Sequence, residues 1–115
     1  MKEIKAYIRP ERIDAVVHAL EDAGFSNMTI IDVAALGELC DPERVKYSIE
    51  FVERHSRIVK LEIVVADVDV DRVVRLIMEH AHTGWAGDGM VYVTPVDAAY
   101  RIRSKAPLHP VPSTA

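Results

Sequence analysis

The sequence predicts an α+β domain in which four antiparallel strands carry two helices on one face. Three observations predict it: a strand pattern followed by a helix stripe near the start of the chain, the same pair of patterns written again 57 positions later, and a further apolar strand after each helix. The chain has 115 residues, 50% of them hydrophobic and 28% charged, the composition of one globular domain. A chain of this length buries about two-thirds of the surface its unfolded form exposes, so one modest core is expected and self-association adds to it.

The first strand is read from Ile4, Ala6 and Ile8, which alternate with Glu3, Lys5, Tyr7 and Arg9 in the period of two that buries one face. The helix after it is read from Ile13, Val16, Val17 and Leu20 at i, i+3, i+4 and i+7, opened by Pro10 and closed by Gly24. Adding 57 to these positions lands on Leu61, Ile63 and Val65, then on Val70, Val73, Val74 and Ile77, the same strand and the same stripe. The strand after each helix is matched at an offset of 60, Ile31 and Val33 with Val91 and Val93. Two strand-helix-strand units packed together give the ferredoxin-like βαββαβ sandwich. Its uncovered sheet face carries Lys5, Tyr7, Lys60 and Glu62 beside Ile31, Val33 and Val64. That mixture is too polar for a core and too apolar for open water, so this face is expected to meet other subunits.

Residues 1–104 form the domain, interrupted by a long polar loop at about 38–56 that contains Pro42, and 105–115, with three prolines, is expected to be a flexible tail. Loops of that length in small domains are usually functional or disordered. A net charge of −4 excludes a nucleic-acid footprint, which needs clustered Lys and Arg. The single cysteine, Cys40, has no internal disulfide partner, and the start MKEIKAYIRP lacks the apolar run of a signal peptide. A cytoplasmic protein is expected. No stretch reaches the roughly 18 apolar residues that cross a bilayer, so no direct membrane insertion is expected.

Candidate chemistry is concentrated near the end of the chain. Gly84, Gly87 and Gly89, three of five glycines, fall in Thr83-Gly84-Trp85-Ala86-Gly87-Asp88-Gly89 between the second helix and the last strand. Gly84 reads as a helix cap. By spacing alone Gly87 and Gly89 around Asp88 suit a plain turn better than a cradle of backbone N–H groups for an anion, and the two arginines that follow shift the balance toward the cradle. Arg101 and Arg103 follow, and strand alternation would point both to one side, where two guanidinium groups offset much of a diphosphate. His80 and His82 are two apart, not four, so no metal site is assigned. No Ser-His-Asp, Cys-His or H-E-x-x-H constellation occurs, and the chain is not read as an enzyme.

Thr83-Gly84-x-x-Gly87-Asp88-Gly89 before a strand, followed by Arg101-Ile102-Arg103, resembles the paired signature of the PII signal-transduction superfamily, as does the opening MKEIKAYIRPERIDAVVHALEDAGFSNMTI. The likeness runs from Met1 to Gly37 and from Lys60 to Ser104. It implies a homotrimer with ATP, ADP or AMP in each cleft between neighbours and no tightly bound cofactor. By the same likeness Thr29, Gly37, Glu62 and Val64 line the adenosine side, Gly87, Asp88 and Gly89 offer backbone groups to ribose and phosphates, and Arg101 and Arg103 neutralise phosphate charge. The loop, with Leu39, Cys40, Tyr47 and Phe51, becomes the effector arm that engages a partner such as a transporter or a carbon-metabolism protein.

The chain departs from the family's pattern at four positions. Met90 stands where the family has a lysine after the glycine turn, and Ile58 where it has another near the terminal phosphate. Losing two cations implies a preference for ADP or AMP over ATP. Leu39 replaces a glutamine that helps hold Mg-ATP and 2-oxoglutarate, and Phe51 a tyrosine that is uridylylated. The expectation is therefore a regulator on the inorganic-carbon side, associated with bicarbonate or carboxysomes. The alternatives are nitrogen regulation with 2-oxoglutarate, a metal-tolerance trimer of similar architecture, and a small enzyme.

Overall fold

In the computed structural model, which describes residues 1–36, 56–84 and 88–108, the alternating segments form strands β1 (Lys2–Ile8), β2 (Thr29–Ala35), β3 (Ser56–Val65) and β4 (Val91–Pro95). The two stripes form helices α1 (Ile13–Asp22) and α2 (Val70–Ala81), each entered through a single 3-10 turn, at Pro10–Arg12 and at Asp67–Asp69. The strands make one sheet in the order β2-β3-β1-β4, all pairs antiparallel. This is the ferredoxin-like arrangement the repeat predicts.

The core sits between helices and sheet because both periodicities deliver their apolar side chains there. Ile4, Ala6 and Ile8 from β1 and Leu61, Ile63 and Val65 from β3 meet Val16 and Leu20 of α1 and Val73 and Ile77 of α2 in one cluster. Those four helix positions are fully buried. Gly24 follows α1 with φ +93, the left-handed conformation that ends helices and that glycine adopts without a Cβ penalty.

Three local readings are corrected. Register pairs share a sheet face, so Ile31 opposite Lys60 lies on the open face, whereas Val93 opposite Ile4 and Val91 opposite Ala6 lie on the helix face. The offset of 60 therefore joins residues on opposite faces. A one-residue slip in a period of two inverts every side chain, and it is Ile30, opposite Leu61, that shares the face of Val91. Second, α2 ends at Ala81 with an extended residue, His82, after it, so Gly84 (φ +84) belongs to the following turn and caps no helix. Third, residues 102–104 turn, so strand alternation does not extend through Arg101 and Arg103.

The chain after β4 doubles back on itself. Arg101 N–H donates to the Ala106 carbonyl at 3.0 Å, Lys105 N–H to the Arg101 carbonyl at 2.8 Å and Leu108 N–H to the Ala99 carbonyl at 2.7 Å. Lys105 takes the left-handed φ of 59 that closes this turn. Residues 105–108, read from sequence as the start of a tail, are thus hydrogen-bonded to 99–101; positions 109–115 lie outside the described residues.

Candidate functional site

The open sheet face is laid out by register. One row crosses all four strands as Thr29, Glu62, Lys5 and Tyr92, and the next holds Ile31, Lys60 and Tyr7. Lys5 Nζ lies 3.9 Å from Glu62 and 3.9 Å from Glu3, and Tyr7 meets Tyr92 edge to face with ring centroids 6.0 Å apart. The face is as mixed as its sequence, with Ile31, Val64 and Tyr92 exposed.

At one end of this face is a cleft of about 790 Å³, the size of a small-molecule site. Thr29, Glu62, Val64 and Arg101 all line it. The structure therefore brings together three residues read as the adenosine side and one read as a phosphate ligand. Phe25 and Leu108, not singled out in the sequence, also line it, as does Asp69, whose place in a run of acids near the second helix suggests a solvated face but which is buried. Phe25 sits there because α1 ends at Asp22 and the chain turns at Gly24, and the Phe25 amide donates to the Leu20 carbonyl at 2.9 Å. Leu108 arrives through the hydrogen-bonded return of the chain after β4.

The glycine turn is built at the other end of β1. Asp88 closes it: the Thr83 amide donates to the carboxylate at 2.9 Å, the Thr83 hydroxyl donates to its other oxygen, and the Gly84 amide lies at 3.4 Å. Burial pushes the Asp88 carboxyl upward, but these hydrogen bonds together with the Arg9 charge outweigh it and hold the pKa below its ordinary value. The backbone beyond is locked to β1, since Tyr7 N–H donates to the Met90 carbonyl at 2.9 Å. Gly89 is obligatory for a packing reason. A Cβ there would stand 1.6 Å from the Tyr7 carbonyl oxygen, inside any possible contact distance.

The cleft and the turn are not brought together within one chain. Glu3 lines the cleft and Arg9 borders the turn, and six residues of extended strand separate them by about 20 Å. Arg101 stands with Thr29, Glu62 and Val64, not with Asp88 and Gly89. Arg103 is exposed in the turn at 102–104. Gly37, Leu39, Cys40, Tyr47, Phe51 and Gly87 lie outside the described residues.

Of the remaining candidates, His80 Nδ1 is 2.9 Å from the Leu76 carbonyl and donates to it, leaving its ring engaged by its own helix. Among the described residues no three His, Cys, Asp or Glu side chains gather as a metal site, and no helix is long and apolar enough to cross a membrane. Ile58, at the position where a cation is missing, is 2% exposed, while Met90, at the other, is 43% exposed.

The family model described as nitrogen regulatory protein P-II matches residues 1–106, and the chain belongs to that family. It is a P-II family regulatory protein. Among similar proteins, the nitrogen fixation nifHD region GlnB-like protein 1 of Methanothermobacter marburgensis is 39% identical over 105 residues, covering 91% of this chain and 96% of the relative. Nitrogen regulatory protein P-II 2 of Methanothermobacter thermautotrophicus is 42% identical over 108 residues, 90% of each chain. Nitrogen regulatory protein P-II of Azospirillum brasilense is 36% identical over 104 residues, 90% of this chain and 93% of the relative.

Proposed function

We propose that this P-II family chain is an adenine-nucleotide-responsive regulator that assembles as a trimer and holds AMP or ADP in preference to ATP at the seam between neighbours. The separation of about 20 Å between the cleft and the glycine turn carries this reading. A nucleotide lying in the cleft beside Thr29, Glu62, Val64 and Arg101 cannot also reach the turn at Asp88 and Gly89 of the same chain. A second copy, docked on the mixed open face, supplies the complementary half. The preference for shorter phosphate chains follows from Met90 and Ile58 standing where cations are missing, since each charge-assisted bond to phosphate is worth about 1.5–3 kcal/mol.

The relatives' names favour nitrogen regulation as the process served, against the inorganic-carbon expectation. Bicarbonate keeps a place as the second reading because of Leu39 and Phe51, which offer neither a metal-ligating amide nor a nucleotidylatable hydroxyl. Calorimetric titration with AMP, ADP and ATP, repeated with 2-oxoglutarate and with bicarbonate, tests both points. The expected result is AMP or ADP bound more tightly than ATP by an assembly that sediments as a trimer. A co-effector must tighten nucleotide binding by the factor by which nucleotide tightens its own. Tenfold tighter ATP than ADP, or a monomer indifferent to all three nucleotides, overturns the proposal.

A further inference from the structure

Arg9 was not singled out in the sequence, where it is one more polar residue alternating along the first strand. In the structure it directly follows β1 with its side chain only 13% exposed, and its Nε lies 3.5 Å from Asp88 Oδ1. Its Nη1 lies 3.8 Å from Glu11, which gives the guanidinium a second carboxylate on the solvent side. Asp88 in turn gathers the Thr83 and Gly84 amides, and two residues on, the Met90 carbonyl is held by Tyr7 of the same strand. The turn is thereby anchored to β1 at two points, one electrostatic through Arg9 and one through the backbone.

We infer that Arg9 is a positioning residue of the phosphate-binding turn: by bracing Asp88 it fixes the backbone around Gly84 and Gly89 in the conformation that meets a nucleotide's phosphates. The inference rests on the proposed nucleotide reading and adds to it a residue outside the glycine turn. Preorganisation of this kind spares the ligand the cost of ordering the loop. The effect is confined to the phosphate part of the ligand, because the adenosine-side residues lie in the cleft at the far end of β1. A planar guanidinium between two carboxylates is also something a lysine imitates only in charge.

The test compares wild type with Arg9→Met and Arg9→Lys in the full chain, titrating each with ADP and with adenosine, and following amide exchange at Thr83 and Gly84. Arg9→Met is expected to weaken ADP roughly tenfold, in line with one lost charge-assisted contact, while adenosine affinity stays unchanged and exchange at both amides rises. Arg9→Lys is expected to recover part of the ADP loss, which a mere packing defect would not allow. If wild type binds neither ligand, the nucleotide reading fails and the inference with it. If wild type binds ADP and Arg9→Met binds it equally well, or loses adenosine in the same proportion, the positioning role alone is overturned.

Discussion

Two substitutions at the scale of single residues separate the missing cations. Met90 is exposed and only its carbonyl is engaged, so Met90→Lys places a charge beside the turn without disturbing packing. It is expected to tighten ATP by about tenfold while leaving AMP nearly unchanged, as read by calorimetry. Ile58→Lys is expected to behave oppositely. Its site is 2% exposed, and burying an unpaired ammonium there should cost several kcal/mol in denaturant unfolding before any phosphate is offered. Gly89→Ala meets the Tyr7 carbonyl and should destabilise the fold by about 1–3 kcal/mol, at the upper end because both clashing groups are backbone-bound. Asp88 supplies a pH dependence. Its folded pKa lies below the ordinary 3.8, so its carboxylate stabilises the turn at neutral pH and that contribution disappears as pH falls through the depressed folded value. The difference in thermal stability between wild type and Asp88→Asn, on the order of 1 kcal/mol at pH 7, should therefore shrink below about pH 4. The missing cations at Met90 and Ile58 were legible in the sequence; the packing reasons at Ile58, Gly89 and Asp88 were not. Gly89 is fixed by a carbonyl more than eighty positions away, and Arg9 gives no local signal that would distinguish it from the other charges of its strand.

At the scale of elements, the helices were legible and the strands only half so. The stripe from Val16 to Leu20 and its echo from Val73 to Ile77 need no partner to define a face, because the helix carries its own period of 3.6. A strand's period of two defines two faces and says nothing about which one a neighbour's pairing will bury. Hence β1 and β3 were read in phase, while the match of β2 to β4 joined opposite faces. The distinction is testable. Ile31→Glu, on the open face, is expected to split the assembly into monomers by sedimentation. Ile30→Glu, half-exposed on the helix side of an edge strand, should leave the assembly intact. Equal behaviour of the two would mean that the open face is not the contact surface.

For the whole molecule, the sequence's internal repeat specified the sandwich, and the signature residues named the candidates, but not that one chain holds the cleft and the glycine turn apart. That separation depends on strand length and direction, which no spacing of residues states. β1 is the member common to both: flanked by β3 and β4, it borders the cleft near Glu3 and ends against the turn at Arg9.

The return of the chain after β4 also bears on how the molecule can be labelled. Leu108 is hydrogen-bonded to Ala99 and stands on the cleft wall, so a bulky group carried at Leu108 itself would stand at the opening and obstruct what enters it. A small dye is better carried at His18, exposed on α1 in the layer behind the sheet, with Cys40 first changed to serine so that the thiol chemistry has a single target.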